Sequence, residues 1–584
     1  MTNDKFIVLT GRRIVFAVTA LLWLLPAGTA AQRASSNSAE AHFQRGVFLL
    51  GKQRLDLAIA ELQMTLRLKP NYAEAHNLIG LAYARKGDLK RAAESFRSAI
   101  ALEPVNYKAQ RNLGMALQEG GETDAAIEAF KRSVALKPND PDTRLMLGSA
   151  FEQKVDADSA IEQFREAARL NARSGEAHFH IGFLLGTKGL LRESVPELER
   201  AVTLQPDHPR AHYYQGTARW FLGDAEGAIE PLRVAAKRMA GNPDAHYYLG
   251  LALRKRGENR EATNAVQAAD ESRHAMGQLV SQNDDLDEAI KAFRTAIRLK
   301  PEFVEAHTEL GVALIQKRDP ETAIAALNNA IKLYPGNLIA HHSLGVALIQ
   351  KGDYAAAVAE YRKLVALAPE NAEAHYNLGL ALKSKDQFDD AIVELRTAIT
   401  LQPGLQEAHY TLGVILLQQS RLDEAAAAFR AAADGTAAYP EALYALGTVQ
   451  QQQGKLDEAI ETLSKSLKLR PGAPEIHNTL ATALRQKGDM EAARREFQEA
   501  ARLNKLKSDA QAAMFALNTG IARLKQGQVD AAIERFDAAI KLDPNNPQAH
   551  YNLAKALRQK GRRVAAEAAY QKAKQLDPRI GPLQ

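Results

Sequence analysis

The 584-residue chain contains no cysteine, only two tryptophans and 6% aromatic residues in all. Without a thiol it forms no disulfide, ligates no metal through sulfur and performs no thiol catalysis, and no cysteine is available to carry an amino-terminal lipid. Charge of one sign is equally scarce. Its 75 basic and 69 acidic residues leave a net charge of +6, too small a basic excess to imply a nucleic-acid partner. Glycine-rich phosphate loops, H-E-x-x-H and G-x-S-x-G are all missing, so no enzyme is indicated and no cofactor is called for. Long apolar runs are absent but for Ile14 to Leu25, which falls short of the roughly 20 residues that cross a bilayer. Lys5, Arg12 and Arg13 precede this run, and Pro26 and the small residues Ala27 to Ala31 follow it. Basic, apolar, then small is the order of a secretory signal. It predicts a signal peptide over residues 1–31, cleaved near Ala31, or else a retained signal anchor, with a linker over 32–38. The expected location is exported, periplasmic or extracellular. The alternative is an inner-membrane anchor facing the periplasm, which would be the only membrane contact.

What the chain does have is a period. Glycine stands at Gly46, Gly80, Gly114, Gly148, Gly182, Gly216 and Gly250, and again at Gly277, Gly311, Gly345, Gly379, Gly413 and Gly447. Ala481, Gly520 and Ala554 complete sixteen copies of a 34-residue unit. In the copy from Ala372 to Leu405, apolar residues recur at helical spacing twice over: Ala374, Leu378, Ala381 and Leu382, then Ala391, Ile392, Leu395, Ala398 and Ile399. A polar turn such as Lys86-Gly87-Asp88 or Lys351-Gly352-Asp353 separates the halves. There glycine ends one helix in the left-handed conformation and aspartate caps the next. Position 20 is Ala in fifteen copies, position 24 is large, and Pro closes position 32 in eleven. A fixed period of this size predicts an all-α stack of antiparallel helix pairs.

Leu-Gly at positions seven and eight, Ala at 20, an aromatic or Leu at 24 and Pro at 32 resemble the tetratricopeptide repeat family over residues 39–580. The resemblance implies a solenoid coiled as a right-handed superhelix, with its concave face lined by the first helix of each pair. It also implies a scaffold that binds peptides or protein surfaces in that groove. We expect such a scaffold in an exported bacterial envelope assembly; the alternative is an accessory subunit of a polysaccharide-secretion or glycosyl-transfer system. The Asn pattern of carboxylate-clamp cochaperones is missing at position nine, and the Asn ladder of the protein O-GlcNAc transferases is only fragmentary.

The period divides the chain into a first repeat block over 39–257, an irregular junction with a shortened repeat over 258–283, a second block over 284–580 and a tail over 581–584. At the junction the spacing from Gly250 to Gly277 is seven residues short, and Ala262, Val266, Ala269, Met276 and Val280 keep one stripe. This predicts that the second helix of repeat 7 runs into the first helix of repeat 8. Between Ala481 and Gly520 five residues are inserted, and Ser508 to Gln511 fits a capping box that would start a lengthened first helix. No capping helix is expected after Pro578.

Eleven of the fifteen histidines stand at position four, one repeat apart and unable to converge on a metal; His178 and His180 are the one close pair. Position five is aromatic in eight copies, and in repeats 5 to 7 aromatics thicken. The candidate groove residues are Phe179, Tyr213, Trp220, Phe221 and Tyr247, with Arg254 and Lys255 beside them. Large rings and arginine dominate binding hot spots, so the expectation is one exposed aromatic surface.

Overall fold

The repeat pattern is realised as tandem helices. The computed structural model describes residues 38–270, 275–435 and 438–583, and the side chains of these except for 259–284. The predicted signal and most of the linker therefore lie outside the described residues. Among those described there are 29 helices and no strand, and no helix is long and apolar enough to cross a membrane. The chain divides into two units, Met1–Leu253 and Arg254–Gln584. Within each, a first helix packs on its own second helix, and that second helix packs on the first helix of the next repeat.

The fixed residues explain this geometry. A Cβ added at Gly114 would meet the Phe130 ring at 2.7 Å, and one at Gly379 would meet Cγ of Leu395 at 2.8 Å. Position eight thus receives the side chain of position 24 against bare backbone, and Phe96, Phe130, Leu395, Phe429 and Leu463 are wholly buried there. In these copies a side chain at position eight would overpack the pair. The turns form as expected: Gly87 has φ 81° and Gly352 φ 84°. Asp88 then accepts from the Arg91 N–H at 3.2 Å, and Asp353 from the Ala356 N–H at 3.0 Å.

The two irregularities fare differently. At the junction, helix Pro243–Asp270 carries the first helix of repeat 7 through the place of its own turn, and helix Ala275–Leu299 does the same for repeat 8. The predicted fusion falls on 271–274, outside the described residues, as do the side chains of its stripe. The turn chemistry accounts for the continuity that is seen. Gly257, in register with Gly87, lacks the left-handed φ, and where Asp would cap stands Glu258, which pairs with Lys255 at 3.2 Å. Repeat 8 has no glycine at that register at all.

The second break is a correction. Ser508 to Gln511 starts no helix, because the 36-residue helix Met490–Lys525 runs straight through it. Lys505 occupies the position where Pro closes most repeats, so the N–H ladder meets nothing to end it. At the far end, the tail folds back on repeat 16. Tyr570 donates to the Gly581 carbonyl at 3.2 Å, Tyr551 to the Pro582 carbonyl at 3.4 Å and Arg558 to the Leu583 carbonyl. Ile580 is buried.

Candidate functional site

In the first unit, the first helices of repeats 5, 6 and 7 bring a run of rings into contact. Gly175–Thr187 supplies Phe179 and Phe183, Pro209–Phe221 supplies Tyr213, Tyr214 and Phe221, and Tyr247 and Tyr248 follow at the same positions one repeat on. Phe183 and Tyr214 lie with ring centroids 4.8 Å apart, Tyr213 and Tyr214 5.1 Å, Tyr213 and Tyr248 6.3 Å, Tyr247 and Tyr248 5.4 Å, and Phe221 and Tyr248 5.7 Å. Tilted and edge-on arrangements at these distances suit the ring quadrupoles. The repeat itself creates the run, since adjacent aromatics at positions five and six recur one repeat apart on neighbouring first helices.

The expectation of one exposed surface is corrected at Phe179. Its ring is only 2% exposed, held 4.4 Å from the His208 ring and covered by the Arg210 guanidinium at 5.2 Å. It supports the surface from below. Tyr213, Trp220 and Tyr247 are each half-buried, with part of the ring accessible, and Phe221 is 61% exposed. Arg254 and Lys255 belong to the second unit and are engaged there. Arg254 pairs with Glu258 and, at 2.9 Å, with Glu309. Burial first, then the charge of Glu258, raises the pKa of Glu309 against the pull of Arg254.

Two residues were missed from the sequence. Arg210 lies over Phe179, Phe183 and Tyr214 at 5.2, 5.7 and 5.9 Å, and Phe183 links the rings of repeat 5 to those of repeat 6. They occupy positions two and nine of the first helices, which the resemblance implies line the concave face. Counting aromatics at position five alone overlooks them.

The two neighbouring histidines serve different carboxylates. His178 meets Glu197 at 2.6 Å. Nδ1 of His180 lies 2.8 Å from Glu152, out of line for a hydrogen bond, and its Nε2 lies 3.5 Å from Glu176. Burial works against charge on His180, but the two carboxylates outweigh it and raise the pKa to about 9. Among the described residues no cluster of His, Asp and Glu could hold a metal ion. The unit therefore offers a surface of half-exposed rings edged by one arginine. Such a surface can grip apolar and aromatic groups and orient them by hydrogen bonds; no nucleophile with an aligned base is placed on it.

Comparison with known proteins agrees with the repeat reading. A profile described as tetratricopeptide repeat matches residues 77–141, 184–243, 444–515 and 517–579, and a second of the same description matches 348–415 and 416–468. A TPR repeat profile matches 49–87, and the cytochrome c-type biogenesis protein H TPR domain matches 267–375. No curated protein matches the chain. Among solved structures, it is similar to YrrB, a TPR protein with an unusual peptide-binding site, at 20% identity and a TM-score of 0.29 over 31% of this chain and 92% of that one. Pseudomonas aeruginosa pilF follows at 19% identity and 0.33 over 36% and 95%. Yeast Tom70 is similar at 17% identity and 0.33 over 92% and 97%.

Proposed function

The chain belongs to the tetratricopeptide repeat family, and from that premise we propose that it is a scaffold holding an extended peptide on the aromatic face of repeats 5 to 7, in an exported envelope assembly. The observation that carries this reading is the contiguous run Phe183, Tyr214, Tyr213, Tyr248 and Phe221. Apolar rings left half-open at this density, edged by Arg210, have no stabilising role that burial would not serve better. Tyrosine and phenylalanine bring large contact area at small entropic cost, and the phenol groups orient a peptide backbone. The first thirty-one residues support export, because their order is that of a secretory signal.

The test begins with capture of partners from envelope extract by the full chain, followed by mass spectrometry. Tyr213→Ala and Tyr248→Ala should then weaken binding of the captured protein by about 2 kcal/mol, roughly thirtyfold, with helical content unchanged. Undiminished binding by both variants would move the site elsewhere. Capture of polysaccharide in place of protein would favour an accessory role in glycan secretion.

A further inference from the structure

Stacked repeats bury the same two positions on the receiving side of each first helix. Position three is fully buried at Ala75, Ala211, Ala306 and Ala340, and position ten at Ala82, Ala150, Ala313 and Ala347. The second helix of the preceding repeat lies against them. Repeat 15, in the second unit, departs from this. Its position three is Phe515, 72% exposed, and its position ten, Ala522, is exposed as well. The reciprocal face is open too. Phe497, at position 24 of repeat 14, is only half-buried, whereas Phe429 and Leu463 at that position are wholly buried.

Between the two open faces runs the helix Met490–Lys525, 36 residues long and so about 54 Å at ~1.5 Å per residue. An unbroken helix does not double back, so repeat 15 cannot cover repeat 14 of its own chain. Residues 504–508, where other repeats turn, are exposed on all sides.

We propose that a second copy of this chain covers both faces by exchange, repeats 15 and 16 of each chain stacking on repeat 14 of the other. The two open faces are the halves of one ordinary repeat–repeat interface, so the body that fits repeat 14 is a repeat 15, and the partner chain supplies it. A two-fold pair satisfies both faces in both chains and closes the assembly. This inference rests on the continuity of one helix and is independent of the peptide-binding reading.

The lack of native cysteine makes the test clean. Position 24 shares a buried cluster with position three of the next repeat elsewhere, as Leu62 does with Ala75 and Leu198 with Ala211. Full chains carrying Phe497→Cys or Phe515→Cys alone are refolded together and treated with a short bismaleimide. The expected product is a covalent pair containing one chain of each kind, and light scattering of the parent should give twice the chain mass. Lys505→Pro restores the missing break. It should yield a folded monomer, checked by circular dichroism, in which the double variant Phe497→Cys, Phe515→Cys cross-links within one chain. A monomeric parent, or cross-links confined to single chains in the double variant that keeps Lys505, would overturn the proposal.

Discussion

Position 15, the turn between the two helices of each repeat, shows how much one residue's backbone weighs. Glycine adopts the left-handed conformation there in most copies, but Val155 holds φ 64° with its side chain 89% exposed. A β-branched residue in this region is strained by roughly 1–2 kcal/mol, and no packing of the exposed side chain offsets it. Val155→Gly gives back about 0.5–1 kcal/mol through the greater freedom of the unfolded chain. The expected net effect is stabilisation of up to about 1.5 kcal/mol, read as a later urea midpoint for the unfolding of repeats 4 and 5. An earlier midpoint would show that Val155 makes a contact worth more than its strain. The same scale explains position eight. Its glycines are required by the ring or leucine of position 24 that sits on the backbone, not by the turn freedom that glycine offers elsewhere.

Between elements, the recurring histidine is a strap. Where position 23 is glutamate, the imidazole Nδ1 reaches it, as in His42 to Glu61 at 2.6 Å, His375 to Glu394 at 2.7 Å and His477 to Glu496 at 2.5 Å. The other nitrogen takes the carbonyl of the residue six before, usually the closing proline: His307 to Pro301 at 2.9 Å, His409 to Pro403 at 3.0 Å and His550 to Pro544 at 2.9 Å. His341 does both, meeting Glu360 and, at 2.8 Å, the Pro335 carbonyl. One ring therefore ties a repeat's two helices to the end of the repeat before it. His341→Ala removes both bonds and leaves the buried Glu360 with Lys363 at 2.9 Å. The expected loss is about 2–3 kcal/mol, seen as faster amide exchange in repeats 9 and 10. Exchange raised equally throughout the second unit would contradict the local character of the strap.

At the scale of the whole molecule, a stack couples each repeat to its neighbours and hardly to the rest. Damage to a strap should stay near it, and no single large core needs to form. A second consequence follows from the proposed export. Residues 1–38 fused to a reporter should carry it across the inner membrane, and the mature chain should begin near Gln32. Full-length protein that keeps Met1 and collects in the soluble cytosolic fraction would refute this.

The repeat, its two helices and most of its turns were legible in the sequence because each depends on neighbours within 34 residues. Glycine at position eight, alanine at 20 and the Gly-Asp turn act locally, and the same contacts recur copy after copy. What the tertiary structure decided lies where that locality fails. Ser508 to Gln511 carries a capping pattern, yet a cap forms only where a helix must start, and the helix through Lys505 has no reason to stop. Phe179 and Tyr213 share position five, but Arg210 of the next repeat and His208, the N-cap of its first helix, close over one and leave the other half-open. The histidine at position four pairs with a glutamate nineteen residues away, a distance that periodicity contains but does not explain until two helices bring them together. A repeated sequence determines the unit; which faces stay open depends on what the neighbouring unit places against them.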